Sequence, residues 1–240
     1  RDDPEIFWVE PEQRAILPLD KFHMSHSLRK TIRSDRFMVT CNRDFTAVIE
    51  ACAQSAADRE QTWISHNIQR SYIDLHQRGN AHSVECWQDG RLVGGLYGVE
   101  IGRAFCGESM FSRATDASKV ALAHLVAAMR LGGFMLLDCQ FMTAHLASLG
   151  ACEISQKTYL NLLENALKGT RFARPKRPRV DYSGAASGAD SIDGDSALAA
   201  AFSTLLGAAA VGPVWTDRPA SPAGASSPGK LIAQFLTQTS

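Results

Sequence analysis

GGLYGVEIGRAFCGESMFS, residues 94–112, and LLDCQ, residues 136–140, decide the fold. The first reads as two strands joined by a tight turn over residues 100–103, rich in glycine and edged by one carboxylate, Glu108. In the second, an apolar run from Phe134 to Leu137 turns polar at its end. Side chains alternate across a strand, so Asp138 and Gln140 share a face and Cys139 points away from them. In sheets with helices packed on them, reactive groups gather where strands end at their carboxyl edge. The sequence places the site there.

The flanking segments supply the rest of the sheet. Residues 81–87 (AHSVECW) alternate as a strand, Asp89 and Gly90 signal a hairpin turn, residues 92–99 return, and residues 105–112 follow as a third antiparallel neighbour. Asp116 is expected to cap a helix over residues 117–131, with Leu122, Leu125, Val126 and Met129 inward and Gly132 and Gly133 closing it. After the strand at 134–140 come a short helix at 143–149, a short strand at 152–154, and a helix at 157–167 buried on Leu160, Leu163 and Leu167. Upstream, residues 37–41 are a strand. Asp44 caps a helix over 45–56 that buries Phe45, Val48, Ile49 and Cys52. Thr62 caps another over 63–78, with Ile64, Ile68, Tyr72 and Leu75 inward and Trp63 in its first turn. The expected fold class is α+β, an acyl-N-acyltransferase (acetyltransferase)-like mixed sheet flanked by helices, with a small N-terminal domain.

Residues 1–36 are read as the remainder of that small domain, residues 37–170 as the catalytic domain and residues 171–240 as a tail. The first 18 residues hold Pro4, Pro11 and Pro18, with extended pieces at 6–11 and 14–19. The chain opens without methionine, so an upstream piece is expected to be missing. A basic helix begins near Ser25, where Lys21, Arg29, Lys30, Arg33 and Arg36 face one acid, Asp35. It is either a solvated face or a phosphate-contacting one. Residues 171–179 (RFARPKRPR) are a proline-broken basic run. Residues 183–229 are mostly Ala, Gly, Ser and Pro, a composition that predicts a flexible tail with one Ala-rich helical piece at 196–210.

Acidic and basic residues balance at 25 each, so net charge argues neither for nor against a nucleic-acid partner. The six cysteines stand singly, and His23 and His26 have no cysteine beside them, which argues against zinc. No run approaches the ~20 apolar residues of a membrane span. A cytoplasmic protein with reduced thiols is expected.

Seven blocks in order, TWI (62–64), AHSVE (81–85), LVGGLYGV (92–99), FCGESMFS (105–112), ASK (117–119), LLDCQ (136–140) and HLASLGA (145–151), resemble the leucyl/phenylalanyl-tRNA–protein transferase family. The HMSHSLRK segment (23–30) fits as well, whereas the tail beyond about residue 179 matches no block of the family. The resemblance implies a monomeric cytoplasmic enzyme that takes leucine or phenylalanine from aminoacyl-tRNA. It joins that residue to proteins beginning with arginine or lysine, marking them for degradation. No metal, nucleotide or coenzyme is implied.

The reaction is attack of an α-amine on an ester that is already activated. Orientation and weak base assistance suffice, because an α-amine titrates near ~7.7–8.0. Asp138 and Gln140 suit this, a carboxylate accepting from the Gln amide and sharpening its carbonyl oxygen as an acceptor. The resemblance carries such a relay onto these two positions. Glu108 has no evident ion-pair partner, and either orients the amine or meets the acceptor's cationic side chain. Leu96, Phe105 and Met110 either line a pocket for the donor side chain or are core. By resemblance, Trp63 stacks on the terminal adenine of the tRNA, and Arg29, Lys30 and Arg33 meet its phosphates.

The rival enzyme reading is a coenzyme-A-dependent acetyltransferase. It requires a glycine loop before the helix at residue 117, and RATDASK (113–119) has no glycine. A non-catalytic RNA-binding module would not need Asp138, Gln140 and Glu108 together.

Overall fold

The computed structural model describes residues 9–54, 63–168, 196–206 and 227–238. Seven strands form one sheet: β1 (Gln13–Ile16), β2 (Met38–Cys41), β3 (Ala81–Gln88), β4 (Arg91–Ile101), β5 (Ala104–Ser112), β6 (Leu136–Gln140) and β7 (Cys152–Ser155). Their order is β2-β3-β4-β5-β6-β1-β7. Tight turns at Gly90 and Gly102 fold β3, β4 and β5 into an antiparallel meander. Between β5 and β6 the chain runs through the helix α4 (Ala117–Leu131), a crossover that makes this pair parallel. The sheet is therefore mixed and flanked by helices, as the sequence indicated.

Two layers of helix cover it. On one face α4 lies against Val84, Leu96, Phe105 and Leu137, and twelve of its fifteen residues are buried. The helix α1 (His26–Arg33) packs beside it through Leu28 and Ile32. The other face carries α2 (Phe45–Ala53), α3 (His66–Gln77) and α6 (Gln156–Lys168), over Tyr97, Phe111, Ala104 and Leu136. The short α5 (Ala144–Ser148) sits between β6 and β7 with Thr143 as its cap. Gly98 is fixed by close approach, since a Cβ there would overlap the Phe105 ring and the Cys106 carbonyl.

Several sequence expectations are corrected. Residues 13–36 do not stand apart as a small domain. Gln13–Ile16 is inserted into the sheet between β6 and β7, and Leu17, Phe22, Leu28 and Ile32 join its core. The third helix begins at His66, because the Ser65 hydroxyl accepts from the Ile68 N–H, which leaves Trp63 outside it. Thr62 lies outside the described residues.

Asp116 does not cap α4. It is left-handed at φ 67° and pairs with Lys119 at 3.0 Å, while the Ser112 hydroxyl accepts from the Ser118 N–H. In α6 the buried positions are Tyr159 and Ala166 rather than Leu160 and Leu167, which are 53% and 41% exposed. The tail is not wholly without structure. Helices α7 (Ala197–Leu206) and α8 (Pro228–Gln238) pack on the α4 side with Leu198, Phe202, Ile232 and Leu236 buried. The basic run 171–179 lies outside the described residues.

Candidate active site

The parallel pairing of β5 and β6 ends at Cys106 and Asp138. Beyond that register the two strands part, and a cluster of polar side chains fills the gap on the α3/α6 face. Asp138 is fully buried and its carboxylate is crowded with donors. Arg14 of β1 donates from Nη2 to Oδ2 at 2.8 Å and from Nε to Oδ1 at 3.2 Å. The Tyr159 hydroxyl of α6 donates to Oδ2 at 2.9 Å, and the backbone N–H of Gln140 donates to Oδ1 at 2.8 Å. The Arg14 guanidinium also lies 4.8 Å from the Tyr159 ring centroid. Facing Asp138 raises Arg14 further above its ordinary value, while burial and the neighbouring carboxylate push Tyr159 up.

Gln140 ends β6 at φ 63°, a conformation that costs an ordinary side chain roughly 1–2 kcal/mol. Its N–H bond to Asp138 holds it there. The side-chain amide then donates to Glu108 Oε2 at 2.9 Å and to the Gly107 carbonyl at 3.3 Å. Its carbonyl oxygen accepts nothing from the described residues. The carboxylate that orients the Gln140 side chain is therefore Glu108. Asp138 holds the backbone beneath it. Strand alternation put Asp138 and Gln140 on one face, but the turn into positive φ swings the amide toward β5.

Glu108 reaches this cluster through a bulge. Tyr97 pairs with Ser109 and Gly98 with Gly107, so Glu108 is the extra residue. Burial raises the Glu108 carboxyl above its ordinary value, opposed by hydrogen bonds from Gln140 and Tyr72. Tyr72 of α3 is set edge-on against Tyr97 at 5.3 Å. Burial and the Glu108 charge push the Tyr72 hydroxyl up. Cys106, facing the same carboxylates, is pushed up to about 12, chiefly by burial, which disfavours its thiolate form. Cys139 turns to the α4 side, and burial raises it to about 12 as well.

The structure brings Asp138, Gln140 and Glu108 together, and adds Arg14, Tyr72 and Tyr159. Sequence reasoning missed these three, since nothing local links β1, α3 and α6 to β6. Leu96 and Phe105 are buried core on the opposite, α4 face, with Met110 half-buried beside them. Trp63 is 51% exposed ahead of α3. Arg29, Lys30 and Arg33 are exposed on α1, with no ion pair among the described residues. Among the described residues no group of three His, Cys, Asp or Glu is placed to hold a metal ion, and no helix is long and apolar enough to cross a membrane.

A mixed sheet whose parallel strands part around a Gln–carboxylate cluster places the protein among the acyl-N-acyltransferase-like α+β proteins. The sequence profile of the family described as leucyl/phenylalanyl-tRNA protein transferase matches residues 16–164. A leucyl/phenylalanyl-tRNA–protein transferase of Novosphingobium aromaticivorans is 55% identical over 248 residues, spanning 100% of this chain and 89% of the relative. Proteins of the same name from Rhizorhabdus wittichii and Zymomonas mobilis are 61% and 59% identical, over 68% and 70% of this chain and 66% and 62% of their own lengths. The chain belongs to the leucyl/phenylalanyl-tRNA–protein transferase family.

Proposed function

We propose that this protein moves leucine or phenylalanine, and methionine weakly, from aminoacyl-tRNA to the α-amine of proteins that begin with arginine or lysine. The product carries a new peptide bond and serves as a degradation signal, and the setting is the cytoplasm. Family membership supports aminoacyl transfer from tRNA to protein. The observation that carries the mechanism is the Gln140 carboxamide, whose N–H₂ is engaged by Glu108 while its carbonyl oxygen accepts from none of the described residues.

In the transfer, the acceptor nitrogen attacks the ester carbonyl carbon. A C–N bond forms, the C–O bond to the tRNA ribose breaks, the amine gives up a proton and the ribose oxygen gains one. Gln140 Oε1 accepts an amine N–H and aims the nitrogen lone pair at the carbonyl. Holding the two reactants at that approach is where most of the acceleration arises. Glu108 fixes the Gln140 amide and sets a negative charge beside the cationic acceptor. Asp138, whose two carboxylate oxygens already accept from Arg14, Tyr159 and the Gln140 N–H, acts through the Gln140 backbone.

The donor ester lies beside Gln140 and its side chain passes through the gap where β5 and β6 part, to rest on the α4 side against Met110, backed by Leu96 and Phe105. Trp63 stacks on the terminal adenine. The phosphates of the tRNA meet Arg29, Lys30 and Arg33. An acetyl-coenzyme-A reading is disfavoured because the start of α4 is occupied by its own Ser112 and Lys119 contacts, with no glycine cradle for a pyrophosphate. The test is transfer of labelled Phe from Phe-tRNA to a peptide beginning with Arg. Product is expected with a free α-amine and none with an acetylated one. Consumption of acetyl-coenzyme A without use of Phe-tRNA would overturn the reading.

A further inference from the structure

The exposed cations of α1 stand on a helix of only eight residues. A helix that short is marginal without packing. Leu28 and Ile32 anchor its inner side, and its end is fixed by α8, from the other end of the chain. Asp35, the one acid in the basic run, is left-handed at φ 48° just past α1. Its Oδ1 accepts from the Gly229 N–H at 2.8 Å, in the first turn of α8. A negative side chain at that end of a helix is favourable. The approach is close enough that a Cβ at Gly229 would overlap the Ile32 carbonyl oxygen. Ile232, Ala233 and Leu236 then bury α8 in the core that α1 and α4 share.

From sequence, Asp35 reads as a partial neutraliser of the run. In the structure its carboxylate turns to α8, accepting from the Gly229 N–H, and α1 itself carries no acid beside Arg29, Lys30 and Arg33. Lys230, exposed and next in the chain to Gly229, adds a charge beside it.

We propose that α8 is a brace of the nucleic-acid-binding face: it locks α1 through the Asp35–Gly229 hydrogen bond, so that Arg29, Lys30 and Arg33 meet the phosphate backbone of the tRNA body as one rigid set. This rests on the assignment of α1 to phosphate binding. A helix free to fray or tilt would present the same charges at scattered positions, and fewer phosphates would be neutralised at once.

The test compares Asp35→Ala, Gly229→Val and a chain ending at residue 226 with the wild-type protein. Phe-tRNA affinity is measured against salt, beside transfer from a short aminoacyl-adenosine donor. Hydrogen exchange over residues 228–238 reports whether α8 has come loose. For every phosphate that is no longer neutralised, the log–log salt slope should flatten by roughly 0.7–0.9. Where α8 loosens, the slope should flatten by one to three such steps, with turnover of the short donor unchanged. The triple substitution of Arg29, Lys30 and Arg33 by Ala sets the full effect. A flattened slope in the triple variant with a wild-type slope in a protein whose α8 has loosened would overturn the brace alone. A wild-type slope in the triple variant would overturn the phosphate assignment, and the brace with it. Should the truncated chain fail to fold, Gly229→Val, whose side chain would collide with the Ile32 carbonyl oxygen while every charge is kept, decides the matter.

Discussion

Replacing Arg14 with Ala removes the cation from a carboxylate that has no access to water. Arg14 Nη2 lies 2.8 Å from Asp138 Oδ2, with the side chains 23% and 0% exposed. Breaking a buried ion pair from one side costs about 3–5 kcal/mol, mostly from the charge left behind. Here Tyr159 and the Gln140 N–H still serve the carboxylate, and Arg14 keeps some exposure to solvent, so a loss of about 2–4 kcal/mol is expected. In an Asp138→Asn background no buried charge remains, and the same substitution should cost about 1 kcal/mol or less. The double-mutant cycle should then show a coupling of about 1–3 kcal/mol. Urea unfolding of the four proteins measures it, with an unchanged m-value as the check that the transition is the same one. Single-turnover transfer at saturating Phe-tRNA gives the functional side. A shift of Gln140 by even ~1 Å can cost on the order of 100-fold, so Arg14→Ala should lower the rate while leaving Phe-tRNA affinity near wild type. Stability losses that add to within ~0.5 kcal/mol would refute the clamp.

Other outcomes follow from the same geometry. Glu108→Gln should slow transfer sharply yet stabilise the fold at neutral pH. Burial raises the native carboxyl, so the native state holds its proton more tightly than the unfolded chain, and wild-type stability falls as pH rises through that raised value. The gain should shrink toward nothing below the ordinary carboxylate pKa of ~4.3, which urea melts at neutral and acidic pH will show. Tyr159→Phe, keeping the ring and removing one donor to Asp138, should cost about 1–2 kcal/mol and lower turnover more than donor affinity; a wild-type rate would remove Tyr159 from the positioning set. Met110→Ala should weaken both Leu and Phe donors, and Ile-tRNA should be a poorer donor than Leu-tRNA because its branch at Cβ gives a stiffer, differently shaped side chain; Met-tRNA should be poor but detectable, since an apolar pocket separates one methylene by only ~1–3 kcal/mol. Equal use of Ile-tRNA and Leu-tRNA would count against Leu96, Phe105 and Met110 as the donor's surroundings.

The meander, the crossover helix and the strand carrying Asp138 were legible because period-two and helical patterns there are strong and the turns carry glycine. The partners of Asp138 were not, since Arg14 and Tyr159 lie 124 and 21 residues away along the chain. Tyr159 was hidden by the leucines around it, which suggested a different buried face for α6. The bulge that turns Glu108 toward Gln140 is a one-residue slip between two strands, and no pattern within either strand encodes it. At the far end, α7 was legible as an Ala-rich helical piece at 196–210, whereas α8, which starts at the edge of the Ala, Gly, Ser and Pro background, was not foreseen. The spacing of Leu198 and Phe202, and of Ile232 and Leu236, is helical, but only the surface offered by α4 and α1 makes those few apolar groups worth burying.

The most direct measurement of the catalytic assignment is the single-turnover rate of Gln140→Gly. Glycine adopts φ 63° without strain, so the substitution removes the carboxamide and keeps the backbone bond to Asp138. A folded protein is expected, with wild-type thermal stability or slightly above it, Phe-tRNA binding close to wild type, and transfer to an Arg-starting peptide slowed by at least about 100-fold. A folded Gln140→Gly protein that transfers Phe at the wild-type rate would contradict the account.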